Sequence, residues 1–68
     1  MKLMVILRPG EDGWFVAECP QLPGCISQGP TRDEAMDNIR EAIRLCIDVR
    51  REQGWPLVEE STEVEVPV

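Results

Sequence analysis

The feature that most constrains this chain is a long helical pattern between Thr31 and Gln53. Thr31 and Glu34 have the spacing of a capping box, while Gly54 and Pro56 are residues that end helices. Between these signals, apolar residues recur at three- and four-residue spacing and fall on one side of a helix: Ala35, Met36, Ile39, Ala42, Ile43, Cys46, Ile47 and Val49. The sequence therefore predicts one long amphipathic helix.

Four short segments outside this helix have strand character. Residues 2–7 are apolar on both faces, which predicts a central strand. After the turn residues of 8–13, the segment 14–19 predicts the second strand of an antiparallel hairpin. Residues 25–28 predict a short third strand, and the alternating residues 62–66 predict a fourth, half-buried one.

Connection rules turn these elements into a topology. Two tight reversals make strands one and three parallel, and a right-handed crossover through the helix places strand four beside strand one. The prediction is a single α+β domain over residues 1–68, built as β-β-β-α-β, with one four-stranded sheet of order 3-2-1-4. The helix covers one face only, so the other, with Trp14 or Phe15 on it, predicts a homodimer or tetramer.

The net charge of the chain limits the classes of partner that it is expected to bind. Seven basic residues stand against thirteen acidic ones, and after residue 53 there are four Glu and no Lys or Arg. Direct nucleic-acid binding is not expected, because it needs a concentrated positive surface. A basic protein is a better partner, although an acidic surface also serves simply to keep a protein in solution. The longest apolar run, residues 3–7, is too short for a membrane span, and the prediction is a cytoplasmic protein.

The stretch CPQLPGC contains two of the three cysteines, Cys19 and Cys25. With no His in the chain, the cysteines cannot complete a four-ligand zinc site, and their odd number argues against a disulfide framework. We therefore expect no metal and no cofactor, and cysteines that pack as small apolar side chains. The prolines and Gly24 predict a reversal between strands two and three, or in addition a rigid contact loop for a partner.

With thirteen carboxylates, the enzyme class to consider is a two-metal nuclease. Its candidate metal ligands are Glu18, Asp37 and Glu41. However, Asp37 and Glu41 stand three residues before Arg40 and Arg44, which is the spacing of ordinary ion pairs on a helix. The chain also has no His to act as a base and no Gly-rich phosphate loop. The sequence favours a solvated helix surface and a protein that is not an enzyme.

One set of residues resembles the HicB-like antitoxin family over residues 1 to about 58. The set comprises Asp12-Gly13-Trp14, then Pro20, Leu22, Pro23, Gly24, Cys25, Ser27, Gly29, Thr31, Glu34 and Ala35, then Asn38 and Ala42-Ile43. The resemblance implies a partial RNase H-like fold. It also implies an antitoxin of a type II toxin-antitoxin system that binds a small basic HicA toxin, an mRNA-cleaving protein, and masks its active site.

Within that family the chain resembles a short form without the C-terminal DNA-binding domain, so repression of its own operon is not expected. Two other hypotheses stay open: an orphan, self-associating interaction module, and a residual RNase H-like nuclease. Candidate partner contacts are chosen by expected exposure and charge: Asp12, Trp14, Glu18, Pro23, Gly24, Glu59, Glu60, Glu63 and Glu65.

Overall fold

The computed structural model describes residues 1–60 and 62–67 as an α+β fold. Three strands form one antiparallel sheet, and one long helix packs on it. The elements are β1 (Ile6–Pro9), a turn of 3-10 helix (Glu11–Gly13), β2 (Phe15–Glu18), β3 (Ile26–Gly29) and α1 (Arg32–Gln53). The predicted fold class and the order of these elements are confirmed.

The helix α1 begins and ends where its sequence predicts. The Thr31 hydroxyl accepts a hydrogen bond from the Glu34 N–H at 3.1 Å, which satisfies one of the free donors of the first turn. At the other end Gly54 adopts a left-handed conformation with φ of 72°, and its N–H donates to the Arg51 carbonyl. No helix in residues 1–60 and 62–67 is long and apolar enough to cross a membrane.

Strand β2, not the first strand, lies at the centre of the sheet. Leu7 of β1 and Ser27 of β3 both lie opposite Ala17, so the order is β1-β2-β3. The prediction of a central strand over residues 2–7 is therefore wrong for the described residues. Burial alternates from residue 2 to residue 8, with Leu3, Val5 and Leu7 half-buried and the residues between them exposed. The apolar residues between them, Met4 and Ile6, remain exposed to solvent. The sequence pattern alone does not reveal this exposure.

The predicted fourth strand is not confirmed. Residues 62–67, named here the C-terminal tail, lie in neither a helix nor a strand, and all of them are exposed. The sheet order 3-2-1-4 is not confirmed for the same reason. A strand needs a neighbour to satisfy its backbone groups, and the alternating pattern of residues 62–66 does not determine which neighbour it finds.

The core lies between the sheet and α1 and includes the CPQLPGC loop. Its buried residues are Ala17, Cys19, Leu22, Cys25, Ala35 and Ile39. Cys19 and Cys25 close the loop through the Cys19 N–H and the Cys25 carbonyl at 3.0 Å, and Gly24 supplies the turn with φ of 80°. This confirms that the stretch joins strands two and three and that both cysteines pack as small side chains.

The start of α1 approaches the end of β3 at Gly29 more closely than any side chain would allow. A Cβ atom on Gly29 would lie 2.6 Å from the Ala35 amide nitrogen and 2.9 Å from the Glu34 carbonyl carbon. One turn further along, the Asn38 side-chain amide donates to the Gln28 carbonyl at 2.8 Å. Gly29 thus belongs to the strand and fixes the helix against it, whereas its sequence context only predicted a strand end.

We expect Gly29→Ala to destabilise the fold by about 3 kcal/mol, because the added methyl overlaps backbone atoms that cannot turn aside. The matched control is Gly24→Ala, where the methyl meets open space and only the positive φ costs energy, about 1 kcal/mol. Urea denaturation followed by circular dichroism measures both. Equal shifts of the two midpoints would contradict the close contact at Gly29.

Candidate functional site

The side of the sheet that α1 leaves uncovered forms one candidate surface. Phe15 and Ala17 of β2 face the helix, while their neighbours of opposite parity face solvent. We name this surface the open sheet face, and its residues are Ile6, Arg8, Trp14, Val16, Glu18, Ile26 and Gln28. Of the two aromatic residues predicted for this face, Trp14 lies on it and Phe15 packs against the core.

The open sheet face is largely apolar, and the charges of Arg8 and Glu18 on it compensate each other. Arg8 and Glu18 form an ion pair at 2.9 Å with both side chains partly exposed. Beside them the apolar side chains of Ile6, Val16 and Ile26 lie on adjacent strands. A shallow cleft of about 340 Å³ opens at one end, lined by Gly10, Glu11, Asp12, Trp14, Val16 and Gln28. Such a surface suits another surface of low net charge.

A second surface lies between the CPQLPGC loop and the last turns of α1. This groove of about 310 Å³ is lined by Leu22, Pro23, Leu45, Cys46, Val49, Arg50 and Trp55, and we name it the loop–helix groove. Leu45 is 55% exposed, Val49 50% and Trp55 56%. Three large apolar side chains in solvent at one concave place are typical of a protein-binding site.

Arg50 holds the walls of the loop–helix groove together. Its guanidinium donates to the Pro56 carbonyl at 2.9 Å and pairs with the Glu59 carboxylate at 3.2 Å. The Trp55 N–H donates to the Arg50 carbonyl, and the Glu59 N–H donates to the Gln21 carbonyl, both at 2.9 Å. These bonds bring the segment after the helix back over the helix end, so Trp55 is set in place before any partner binds.

Acidic residues stand next to groove residues in the chain, although none of them lines the groove itself. Asp48 is adjacent to Val49, and Glu52 lies one turn after Val49 on the same side of α1. Glu59 lies at the groove through its pair with Arg50, and Glu60 follows it in the chain. The groove therefore combines an apolar floor with one compensated ion pair, Arg50 with Glu59, and with acidic neighbours in the chain.

The structure distributes the nine predicted contact residues over three places. Asp12, Trp14 and Glu18 lie on or beside the open sheet face. Pro23 lines the loop–helix groove with Gly24 next to it, and Glu59 and Glu60 lie where the chain leaves the groove. Glu63 and Glu65 lie in the exposed C-terminal tail. The nine residues do not form one site.

Sequence reasoning missed the residues that make the loop–helix groove, namely Leu45, Arg50 and Trp55. Leu45 is an apolar residue outside the buried stripe of α1, and that misfit is a signal of an exposed contact. Arg50 stands in the last turn of α1, where a basic residue is already explained by the negative end of the helix dipole. Its role in holding residues 56 and 59 depends on how the chain folds back, which no local pattern reports.

The three carboxylates considered for a nuclease lie in separate ion pairs. Glu18 pairs with Arg8, Asp37 with Arg40 at 3.1 Å, and Glu41 with Arg44 at 2.7 Å. The last two pairs are the ones predicted from the helix spacing. Among the residues described, no group of three or more His, Cys, Asp or Glu side chains is placed to hold a metal ion.

The cysteines are free thiols, and the environment of Cys25 makes it unreactive. Burial raises the pKa of the Cys25 thiol to about 12, and the adjacent thiols of Cys46 and Cys19 act in the same direction. Because the thiolate is the nucleophile, a thiol that stays protonated at neutral pH is a poor one. Cys25 is suited to packing rather than to covalent chemistry.

The family comparison gives these surfaces a context. Residues 3–67 match the model of the HicB-like antitoxin of bacterial toxin-antitoxin systems. The fold is similar to the crystal structure of the N-terminal domain of the antitoxin HicB from Burkholderia pseudomallei, with a TM-score of 0.68 and 26% identity. That similarity covers 94% of this chain and 69% of the other.

Curated relatives are small proteins of similar length. A UPF0150 protein of Thermoplasma acidophilum is 41% identical over 63 residues, which is 93% of this chain and 91% of the relative. A UPF0150 protein of Archaeoglobus fulgidus is 39% identical over 51 residues, 75% of this chain and 74% of the relative. The sequence-based resemblance to the antitoxin family is confirmed by the family match and by the structural neighbour.

We expect the stability of the fold to decrease as the pH rises from 9 toward 12. The pKa of Cys25 is about 12 when folded and 9.0 in its unperturbed state, so the stabilisation is complete below pH 9. Above it, folding excludes the thiolate and the free energy of unfolding decreases by up to about 1.4 kcal/mol per pH unit. Urea denaturation across this range should show a shallower slope for Cys25→Ala. Identical slopes would contradict a buried, protonated Cys25.

Proposed function

Because this chain belongs to the HicB-like antitoxin family, we propose that it acts as the antitoxin of a type II system, binding a small basic HicA-like toxin and masking the active site with which that toxin cleaves mRNA. The observation that carries the proposal is the family match over residues 3–67 together with the likeness to the HicB N-terminal domain. Masking requires a binding surface and no catalytic group, so the chain acts as a protein ligand and not as an enzyme. Its place of action is the cytoplasm, where mRNA is cleaved.

The loop–helix groove is the proposed contact for the toxin. Its apolar floor of Leu45, Val49 and Trp55 offers an anchor of the kind that contributes most to protein binding. The net charge of −6 on the chain speeds the approach of a basic partner and disfavours acidic ones. Pro23 and Gly24 form the loop wall, where a fixed conformation lowers the entropy lost on binding. Glu59 and Glu60 contribute negative charge on the other side.

The open sheet face is the proposed surface for self-association. Two copies of an acidic chain repel each other, with a formal charge of −6 on each, and must meet through a surface of low net charge. The open sheet face meets that condition, because Arg8 and Glu18 compensate each other between apolar side chains. Asp12, Trp14 and Glu18 thus belong to a homodimer or tetramer contact, which leaves the groove free for the toxin.

A second candidate function is an orphan interaction module that associates only with itself. The observation that favours it is the open sheet face, which forms a binding surface without reference to any toxin. A gene for a small basic protein next to the gene for this chain would favour the antitoxin function, and its absence would favour the orphan module.

We expect Trp55→Ala to weaken toxin binding by about 2 kcal/mol, or about 30-fold in Kd, and to restore RNA cleavage in a mixture that the unmodified chain inhibits. Trp14→Ala is the matched control, because Trp14 is 43% exposed and Trp55 56%, and the two lie on different surfaces. Calorimetric titration into the purified HicA-like toxin gives Kd, and an RNA-cleavage assay gives inhibition.

Two results would contradict this proposal at different levels. If Trp14→Ala weakened binding and Trp55→Ala did not, the toxin contact would lie on the open sheet face. If the toxin cleaved RNA at its full rate in an excess of the unmodified chain, the antitoxin function itself would be wrong.

A further inference from the structure

Strand β1 has one edge whose backbone groups face no other strand of the described chain. The Gly10 N–H donates to the Trp14 carbonyl at 2.6 Å, and the Met4 N–H donates to the Gln21 side chain at 3.0 Å. Even-numbered residues of this segment therefore direct their amides toward β2 and the loop that follows it. Since successive amides alternate, the N–H and C=O groups of Leu3, Val5 and Leu7 point away from the sheet. An edge of this kind accepts an added strand.

The C-terminal tail has the composition of a strand, but it pairs with no strand among residues 1–60 of its own chain. Residues 62–66 alternate between polar and apolar side chains, which is the pattern of a half-buried strand. Val64 is 75% exposed and Val66 63%, so the apolar side of that pattern lies in solvent. A stretch with strand character and exposed valines at the surface has a strong tendency to pair with a free sheet edge.

The tail and the free edge of β1 are complementary in charge. Residues 1–10 carry Lys2 and Arg8 and no acidic side chain, whereas the tail carries Glu63 and Glu65 and no basic one. Arg8 is already paired with Glu18, so Lys2 is the basic residue available to the tail. Attraction between these segments offsets part of the repulsion between two acidic chains.

The pattern of side chains along the two segments is complementary as well. On β1 and the residues before it, Leu3, Val5 and Leu7 share the half-buried side, while Lys2 and Arg8 share the other side. If Val64 and Val66 extend the apolar side, Glu63 and Glu65 fall on the side of the two basic residues. One placement thus satisfies both the hydrophobic and the ionic pattern.

The chain exposes enough surface for a contact with a second copy. A compact monomer of this mass exposes about 4,300 Å² by the scaling of surface with mass, and the chain exposes 5470 Å². The excess of roughly 1,200 Å² exceeds the ~800 Å² per partner that a standard protein interface buries. Reciprocal exchange between two copies covers both free edges and both tails at once, as expected of a two-fold dimer.

We propose that residues 62–66 of one copy add as a strand to the free edge of β1 in a second copy, through the backbone groups of Leu3, Val5 and Leu7. The added strand completes a four-stranded sheet in each half of the dimer. Pro9 has no amide hydrogen to offer at that edge and marks where the pairing ends. The proposal does not depend on the toxin.

Two proline variants of the full chain, Val64→Pro and Glu65→Pro, test the exchange. Adjacent residues of a strand direct their amides to opposite sides, so only one of the two prolines removes a hydrogen bond to β1. We expect sedimentation equilibrium to show a dimer for the unmodified chain and for one variant, and a Kd at least about 10-fold higher for the other. The unaffected variant is the matched control, and circular dichroism checks that α1 is retained in both.

Amide hydrogen exchange, followed by NMR at several chain concentrations, separates a second copy from the chain's own tail. If the tails of two copies are exchanged, the Val5 and Leu7 amides should be protected from hydrogen exchange at high chain concentration. They should lose that protection on dilution below the dimer Kd. A monomer in which both amides stay protected at every concentration would overturn the proposal in favour of pairing within one chain. Dimers that both prolines leave intact, or that both disrupt equally, would overturn the strand pairing. Neither measurement involves the toxin, so a failure here leaves the proposed function untouched.

Discussion

The contact between Gly29 and the first turn of α1 is the constraint on which the rest of the structure depends. Backbone lies against backbone there, since a Cβ atom on Gly29 would come within 2.6 Å of the Ala35 nitrogen. The hydrogen bond from Asn38 to the Gln28 carbonyl extends the contact by one turn. Because the helix is fixed to β3 at its start, its apolar side lies over β2 and β3, and its far end reaches the CPQLPGC loop.

One helix on one face has a direct consequence for function. It leaves the other face of the sheet in solvent, with apolar side chains and a compensated ion pair. It also brings Leu45 and Val49 to the loop, where the fold-back held by Arg50 adds Trp55. The molecule thus presents two apolar surfaces, each with one compensated ion pair: Arg8 with Glu18 on the open sheet face, and Arg50 with Glu59 at the loop–helix groove. This arrangement is suited to a protein that binds a copy of itself and a basic partner at separate places.

Because the chain is small, burial of these surfaces on association matters for the stability of the fold. A domain of 68 residues buries a smaller fraction of its surface than a larger domain does, so its core alone provides limited stability. Association adds buried apolar area without requiring more chain, and stabilises the folded state by mass action. The free edge of β1 and the exposed C-terminal tail are consistent with a fold that is finished by a second molecule.

The sequence by itself determined the elements whose signals are local. The capping box at Thr31, the left-handed Gly54 and the prolines of the loop each act within a few residues, and α1 and the loop were predicted with accurate ends. The burial of Cys19 and Cys25 followed from the absence of any partner ligand in the chain. The family resemblance, which was based on these same turn and cap residues, was confirmed by the family match over residues 3–67.

Only the tertiary structure decided what depends on distant parts of the chain. Strand β1 lies at the edge of the sheet, and residues 62–67 are exposed. Both facts depend on which strands pair with each other, and the alternating or apolar pattern of a strand does not specify its partner. Likewise, Gly29 as a close contact, Arg50 as the link to residues 56 and 59, and the loop–helix groove arise where segments far apart in sequence meet. Hydrogen bonds and steric limits within a few residues can be predicted from the local sequence. Packing between distant segments depends on the whole fold.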